Sequence, residues 1–151
     1  MKLRSALIVS GCLLLAACEK NNMSKIPQIS LVEAGPDSVK VNLDTAYIVF
    51  NYADGDADLG NSSTSAVFVK DLRYDTGYVQ YEFPYIVPSL EDPKKGLTGT
   101  GAVLLLQPPL TPRADSMHMV HGDTTHFEMY ITDRAGNASN HITTQDIIIR
   151  P

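Results

Sequence analysis

Between Pro27 and Pro151 the chain is a succession of short β-prone runs, each ended within a few residues by glycine, proline, asparagine or aspartate. That rhythm constrains the fold more than any other feature. Candidate strands are Gln28–Val32, Ser38–Leu43, Ala46–Tyr52, Ala66–Tyr74, Tyr78–Phe83, Gly101–Gln107, His126–Thr132 and His141–Ile149. They are rich in Val, Ile, Tyr and Thr, and turns such as Gly35-Pro36-Asp37, Asp75-Thr76-Gly77, Pro108-Pro109 and Gly136-Asn137 separate them. No stretch carries a 3.6-residue apolar period with caps, so helix is not expected. The pattern predicts an all-β, antiparallel sandwich of seven to eight strands.

Alternation assigns faces. In His126–Thr132, Phe127, Met129 and Ile131 point inward and His126, Glu128 and Tyr130 outward. Val79, Tyr81, Phe83 and Tyr85 share one side of their strand, read as the buried one. Val103–Leu106 is continuously apolar, which suits a central strand covered on both faces. Leu90–Gly96 and Pro108–Asp115 read as surface loops.

The N-terminus is different. Lys2 and Arg4 precede an apolar run from Ala6 to Leu15, too short to cross a bilayer as a helix and placed where a secretory signal lies. It ends in Leu15-Ala16-Ala17-Cys18, which resembles the lipobox of bacterial lipoproteins. That resemblance implies removal of residues 1–17, acylation of Cys18, a tether over 18–26 and one folded body over 27–151. Several acyl chains hold a protein firmly to a membrane where one does not. Glu19, not aspartate, follows the cysteine, so the resemblance implies the outer membrane, facing either the periplasm or the exterior. The body then contains no cysteine beyond the anchor, because Cys12 leaves with the signal, and neither a disulfide nor a thiol site is available to it. Losing Lys2 and Arg4 takes the net charge from −5 to −7, which argues against nucleic acid as a partner.

Two loops carry the sharpest signals. Asp54-Gly55-Asp56-Ala57-Asp58-Leu59-Gly60 sets three carboxylates at alternate positions, which repel unless water or a cation lies between them. Such a density of hard oxygens suits Ca²⁺. The loop is not an EF-hand, because Leu59 and Ser65 stand where that loop needs glycine and a bidentate acid. In the second loop, Thr132-Asp133-Arg134-Ala135-Gly136-Asn137, Gly136 and Asn137 are expected to supply the left-handed backbone angles of a tight hairpin. This loop resembles the final hairpin of bacterial immunoglobulin-like modules. That family implies a sandwich in which the loop after the second strand and the loop between the last two strands share one pole. Asp54, Asp56, Asp58, Asp133 and Asn137 then form a hypothetical Ca²⁺ shell, at the pole that also receives the tether.

Other signals are weaker. His118, His121, His126 and His141 match no metal-ligand spacing and read as solvent-exposed. Tyr74 and Tyr78 belong to a tyrosine-rich hairpin, either core or a glycan-binding platform. There is no Gly-x-Ser-x-Gly elbow, no His-Glu-x-x-His and no phosphate-cradling loop, so catalysis is not expected. The acidic turn shows no apolar pocket that would raise a carboxyl pKa. The function expected is a membrane-anchored, non-catalytic binding or structural module, calcium-stabilised, with an unidentified protein or glycan partner. The alternative is a glycan-binding surface lipoprotein.

Overall fold

The computed structural model describes residues 22–105 and 110–151; the signal segment, Cys18, the end of the expected Gly101–Gln107 strand and the Pro108-Pro109 turn lie outside the described residues. The strands are β1 (Gln28–Gly35), β2 (Ser38–Lys40), β3 (Ala46–Asp54), β4 (Ala66–Asp71), β5 (Val79–Glu82), β6 (Leu97–Leu105), β7 (Asp123–Thr125), β8 (Phe127–Ile131), β9 (Ile142–Thr143) and β10 (Ile147–Arg150). Among the described residues they form three sheets, ordered β1-β3-β6, β5-β4-β8-β9 and β2-β10-β7. All these pairings are antiparallel except β2 with β10. The fold is all-β, as the sequence pattern predicts.

One core serves all three sheets. Ile48 and Phe50 of β3, Val67 and Val69 of β4, Phe127, Met129 and Ile131 of β8, and Ile147 and Ile149 of β10 belong to a single buried cluster. The inward column of β8 is the one its alternation assigns, with Phe127, Met129 and Ile131 fully buried. At about 25 cal/mol per Å² of apolar surface, burial of this kind is the main force holding the body together.

The strands are shorter and more numerous than their pattern suggests. β7 and β8 are separated only by His126, whose carbonyl accepts the Leu72 N–H at 3.1 Å. β9 and β10 are separated by Thr144-Gln145-Asp146, so the expected His141–Ile149 strand is two. Thr144 bridges the gap: its N–H donates to Phe127 O at 2.9 Å, and its hydroxyl accepts the Phe127 N–H at 3.0 Å. A side chain here replaces a missing rung of the ladder.

Four expectations are corrected. β6 is an edge strand, not a central one: Ala102 is exposed and Leu104 is 58% exposed, because no further strand pairs beyond it among the described residues. In the tyrosine hairpin Phe83 is buried on the assigned side but Val79 and Tyr85 are exposed, because β5 lies at the rim of its sheet and ends at Glu82. A helix exists, α1 (Ser116–His121), capped by the Asp115 carboxylate, which accepts the N–H groups of Met117 and His118. It spans under two turns and none of its residues is buried, so it casts no apolar stripe in the sequence. In the last hairpin only Gly136 takes positive φ (87°); Asn137 does not.

A candidate cation site at one pole

The inward column of β3 is Ala46, Ile48, Phe50 and half-buried Tyr52, and its next member is Asp54. The inward column of β8 is Phe127, Met129 and Ile131, and the next alternate residue is Asp133. Strands from different sheets thus both end their core-facing columns in aspartate, and both aspartates are 0% exposed. Carboxylate oxygens of Asp54, Asp58 and Asp133 all lie within 4.8 Å of one another. The structure therefore brings together the two loops that the sequence singles out.

The loops hold this arrangement through the main chain. Asp54 Oδ2 accepts the Asp58 N–H at 2.8 Å, closing the acidic turn on itself. Ala57 sits at φ 58°, the left-handed region, and Leu59 beyond it is fully buried, pinning the turn to the core. Asp58 Oδ2 accepts the Ala135 N–H at 3.2 Å across the gap between loops. Arg134 clamps the outside: its Nε donates to Asp58 O at 2.9 Å, and its guanidinium pairs with Glu91 at 2.8 Å. Asn61 in turn donates to Glu91 and to Ile86 O, both at 2.7 Å.

The inner oxygens are another matter. Oδ1 of Asp54, of Asp56 and of Asp58 are buried and have no hydrogen-bond partner. Among the described residues no Lys, Arg or His forms a salt bridge with Asp54, Asp56, Asp58 or Asp133. Burial, then the charges of Asp56 and Asp58, push the Asp54 carboxyl up to about 7, against a lowering by the Asp58 N–H. Asp58 is also raised, first by burial and then by Asp133 and Asp56. The expectation that nothing here raises a carboxyl pKa is thus corrected: the core end of β3, not a cleft, supplies the apolar surroundings.

Asn137 plays a different part from the one expected of it. Its main-chain N–H donates to Asp133 Oδ1 and its side-chain NH₂ to Oδ2, both at 2.7 Å, so it orients Asp133 with donors rather than offering an oxygen.

The arrangement is suited to a hard cation. Oxygens around one Ca²⁺, each about 2.3–2.6 Å from it, stand up to about 5 Å apart, and the three here fall inside that limit. Mg²⁺ demands a smaller, near-octahedral shell, whereas Ca²⁺ accepts the irregular one that two loops provide. Asp54, Asp58 and Asp133 are the residues that would hold it; Asp56, although its Oδ1 is buried too, lies outside that cluster.

The remaining candidates do not converge. Tyr74, 38% exposed, lines a cavity of about 350 Å³ with Val69, Val79, Tyr81 and Phe127. Tyr78 is not in that lining: its hydroxyl donates to Glu128, and its ring meets Tyr130 edge-on at 4.9 Å. Tyr130 also stacks against Phe68 and against His141, each at 4.8 Å. The histidines are scattered among acidic partners: His118 on Asp115 at 2.5 Å, His126 beside Asp146 and His141 beside Glu128. His118 is half-buried rather than exposed, whereas the His126 side chain is 44% exposed. Sequence reading misses the charge network at the other pole, where Arg73 pairs with Asp71 at 2.6 Å and with Asp123 at 2.9 Å. Arg73 and Asp123 are 50 positions apart and belong to no motif.

Compared with protein-family models, with curated proteins and with solved structures, the chain matches none.

Proposed function

We propose that this chain is a lipid-anchored envelope protein, held through Cys18 to the outer membrane, whose body is a non-catalytic immunoglobulin-like module with a Ca²⁺ site at the pole nearest the anchor. The single observation that carries the cation site is the trio of buried, unpartnered Oδ1 atoms on Asp54, Asp56 and Asp58. Burying an ionised carboxylate without a partner costs several kcal/mol, and a divalent cation among the converging Asp54, Asp58 and Asp133 carboxylates offsets that penalty. The strand order supports the immunoglobulin-like reading. A β1-β3-β6 sheet shares its core with β5-β4-β8-β9, and β2 runs parallel to the last strand, β10. The lipobox-like Leu15-Ala16-Ala17-Cys18 supports the anchor.

Isothermal titration with Ca²⁺ tests the site. Binding that is lost in Asp54→Asn with Asp58→Asn is the expected result; no heat and an unchanged melting curve in chelator reject it. Metabolic labelling with a radioactive fatty acid, absent in Cys18→Ala, tests the anchor.

A second reading, glycan binding at the tyrosine hairpin, is favoured by one observation, the Tyr74-lined cavity. Retention on a glycan array that disappears in Tyr74→Ala supports it, and an array without signal removes it.

A further inference from the structure

We propose that the cation loop is also the latch for the N-terminal segment: the ion and residues 22–26 bind the body cooperatively, so calcium sets how far the module stands from its anchor. This inference rests on the cation and anchor readings above and adds a regulated partner to them, the chain's own leader.

The contact is made at Gly55, which follows the ligand Asp54 in the acidic turn and is buried. Its N–H donates to Ser24 O at 2.7 Å. A Cβ placed on Gly55 would stand 2.5 Å from Met23 O and 2.6 Å from Ser24 O. Real Cβ atoms do not approach oxygen so closely, so the leader lies directly on the backbone of the ligand loop. Ser24 Oγ accepts the Ile26 N–H at 3.0 Å and turns the segment toward buried Pro27. The strand that follows starts with Gln28 opposite Ala53, the residue before Asp54.

The loop is thus held by the leader at Gly55 and by Arg134 at Asp58. Its inner face carries three unpartnered carboxylate oxygens that repel one another. Without an ion, that repulsion favours an opened turn, and Gly55 moves with Asp54 and Asp56. Opening the turn withdraws the donor that docks Ser24. With an ion, the turn closes and the docking site is complete. Linkage makes the effect reciprocal: whatever factor the docked leader adds to calcium affinity, calcium adds to docking.

The consequence is a change of reach. With residues 22–26 docked, only Cys18 to Asn21 separate the body from the anchor, at most about 14 Å of fully extended chain. With the leader released, the span from Cys18 to Ile26 reaches about 30 Å.

The test uses the full lipid-bearing protein in phosphatidylethanolamine–phosphatidylglycerol vesicles. A lysine-specific endoproteinase, its products read by mass spectrometry, reports on the leader at exposed Lys25 and on the far pole at exposed Lys40. Calcium is expected to slow cleavage after Lys25 at least tenfold more than cleavage after Lys40. Gly55→Ala, which leaves every carboxylate in place, is expected to weaken calcium binding at least fivefold and to cancel the protection at Lys25. Equal cleavage after Lys25 in calcium and in chelator, while titration still shows the ion bound, overturns the latch and leaves the site standing. Absence of calcium binding in the wild type overturns the site itself. If Gly55→Ala does not fold, the wild-type cleavage ratio decides alone.

Discussion

Replacing Asp54 by asparagine should stabilise the ion-free protein, the opposite of the usual result for a fully buried polar residue. Asp54 is 0% exposed, and its carboxyl is pushed up to about 7, burial being the largest cause and its acidic neighbours the next. Lifting a carboxyl that far from its ordinary value near 4 corresponds to something on the order of 4 kcal/mol opposing the fold when the group is ionised. Because the folded pKa is the higher one, this group favours the fold fully below about pH 4, and that contribution is lost as pH climbs through about 7. Asparagine removes the charge and keeps an oxygen for the Asp58 N–H that now meets Oδ2. In chelator at about pH 8 the variant should therefore melt roughly 10–20 °C above wild type, since 1 kcal/mol moves the Tm of a domain this size by about 3–5 °C. Calcium at about 100 times its Kd should add about 2.7 kcal/mol to the wild type, and much less to the variant. Differential scanning calorimetry of both proteins, in chelator and in calcium, separates these effects. If Asp54→Asn melts below wild type in chelator, the Asp54 carboxylate is already satisfied in the ion-free protein, and the argument for a waiting ligand is wrong.

Three further perturbations bear on the same architecture. Leu59→Ala removes the fully buried anchor of the acidic turn; it should cost about 2–5 kcal/mol by urea denaturation and weaken calcium binding as well, and intact affinity would show that the turn needs no pin. Burial alone would raise Asp123, but hydrogen bonds from Arg113, Thr124 and Arg73 hold it well below the usual carboxylate range. Its contribution is present above about pH 4 and is lost as pH falls through the folded pKa, so Asp123→Asn should cost about 3 kcal/mol at neutral pH and flatten the acid limb of the stability curve; an unchanged acid limb refutes this. Asn140 clasps one residue of β1, accepting the Ile29 N–H at 2.8 Å and donating to Ile29 O at 2.9 Å; Asn140→Ala should cost about 1–3 kcal/mol and speed amide exchange at Ile29, whereas an unaltered exchange rate would mean the clasp holds nothing.

The strands are legible in the sequence because alternation is a local rule, whereas which side chains meet across a pole is fixed only once two strands are placed beside each other. Phe127, Met129 and Ile131 announce their buried face within five residues. The same count, carried one step further to Asp133 and one step from Tyr52 to Asp54, puts two carboxylates on the core face by that local rule alone. What alternation cannot say is where a strand sits in its sheet. Val103-Leu104-Leu105 reads as doubly covered, yet β6 lies at an edge, because coverage depends on partners distant in sequence. The Arg73–Asp123 pair is hidden for the same reason, and α1 because a helix this short, with exposed Met117, Met119 and Val120, leaves no periodic trace.

The described residues contain no cysteine, so other contacts must fix the loops where the sheets meet. At the far pole the chain uses its own opposite charges, Arg73 and Arg113 against Asp71 and Asp123. At the near pole the carboxylates of Asp54, Asp58 and Asp133 converge, and the nearby Arg134 commits its guanidinium to main-chain carbonyls and Glu91 instead. Charge balanced in one place and left unbalanced in the other is hard to reconcile with stability alone, since apolar side chains at Asp54 and Asp133 would continue the columns that already fill the core. On the proposed reading the unbalanced pole is balanced from outside, by an ion that joins two loops and the leader. It would act there as a cross-link that, unlike a disulfide, is made and released by the calcium concentration around the membrane.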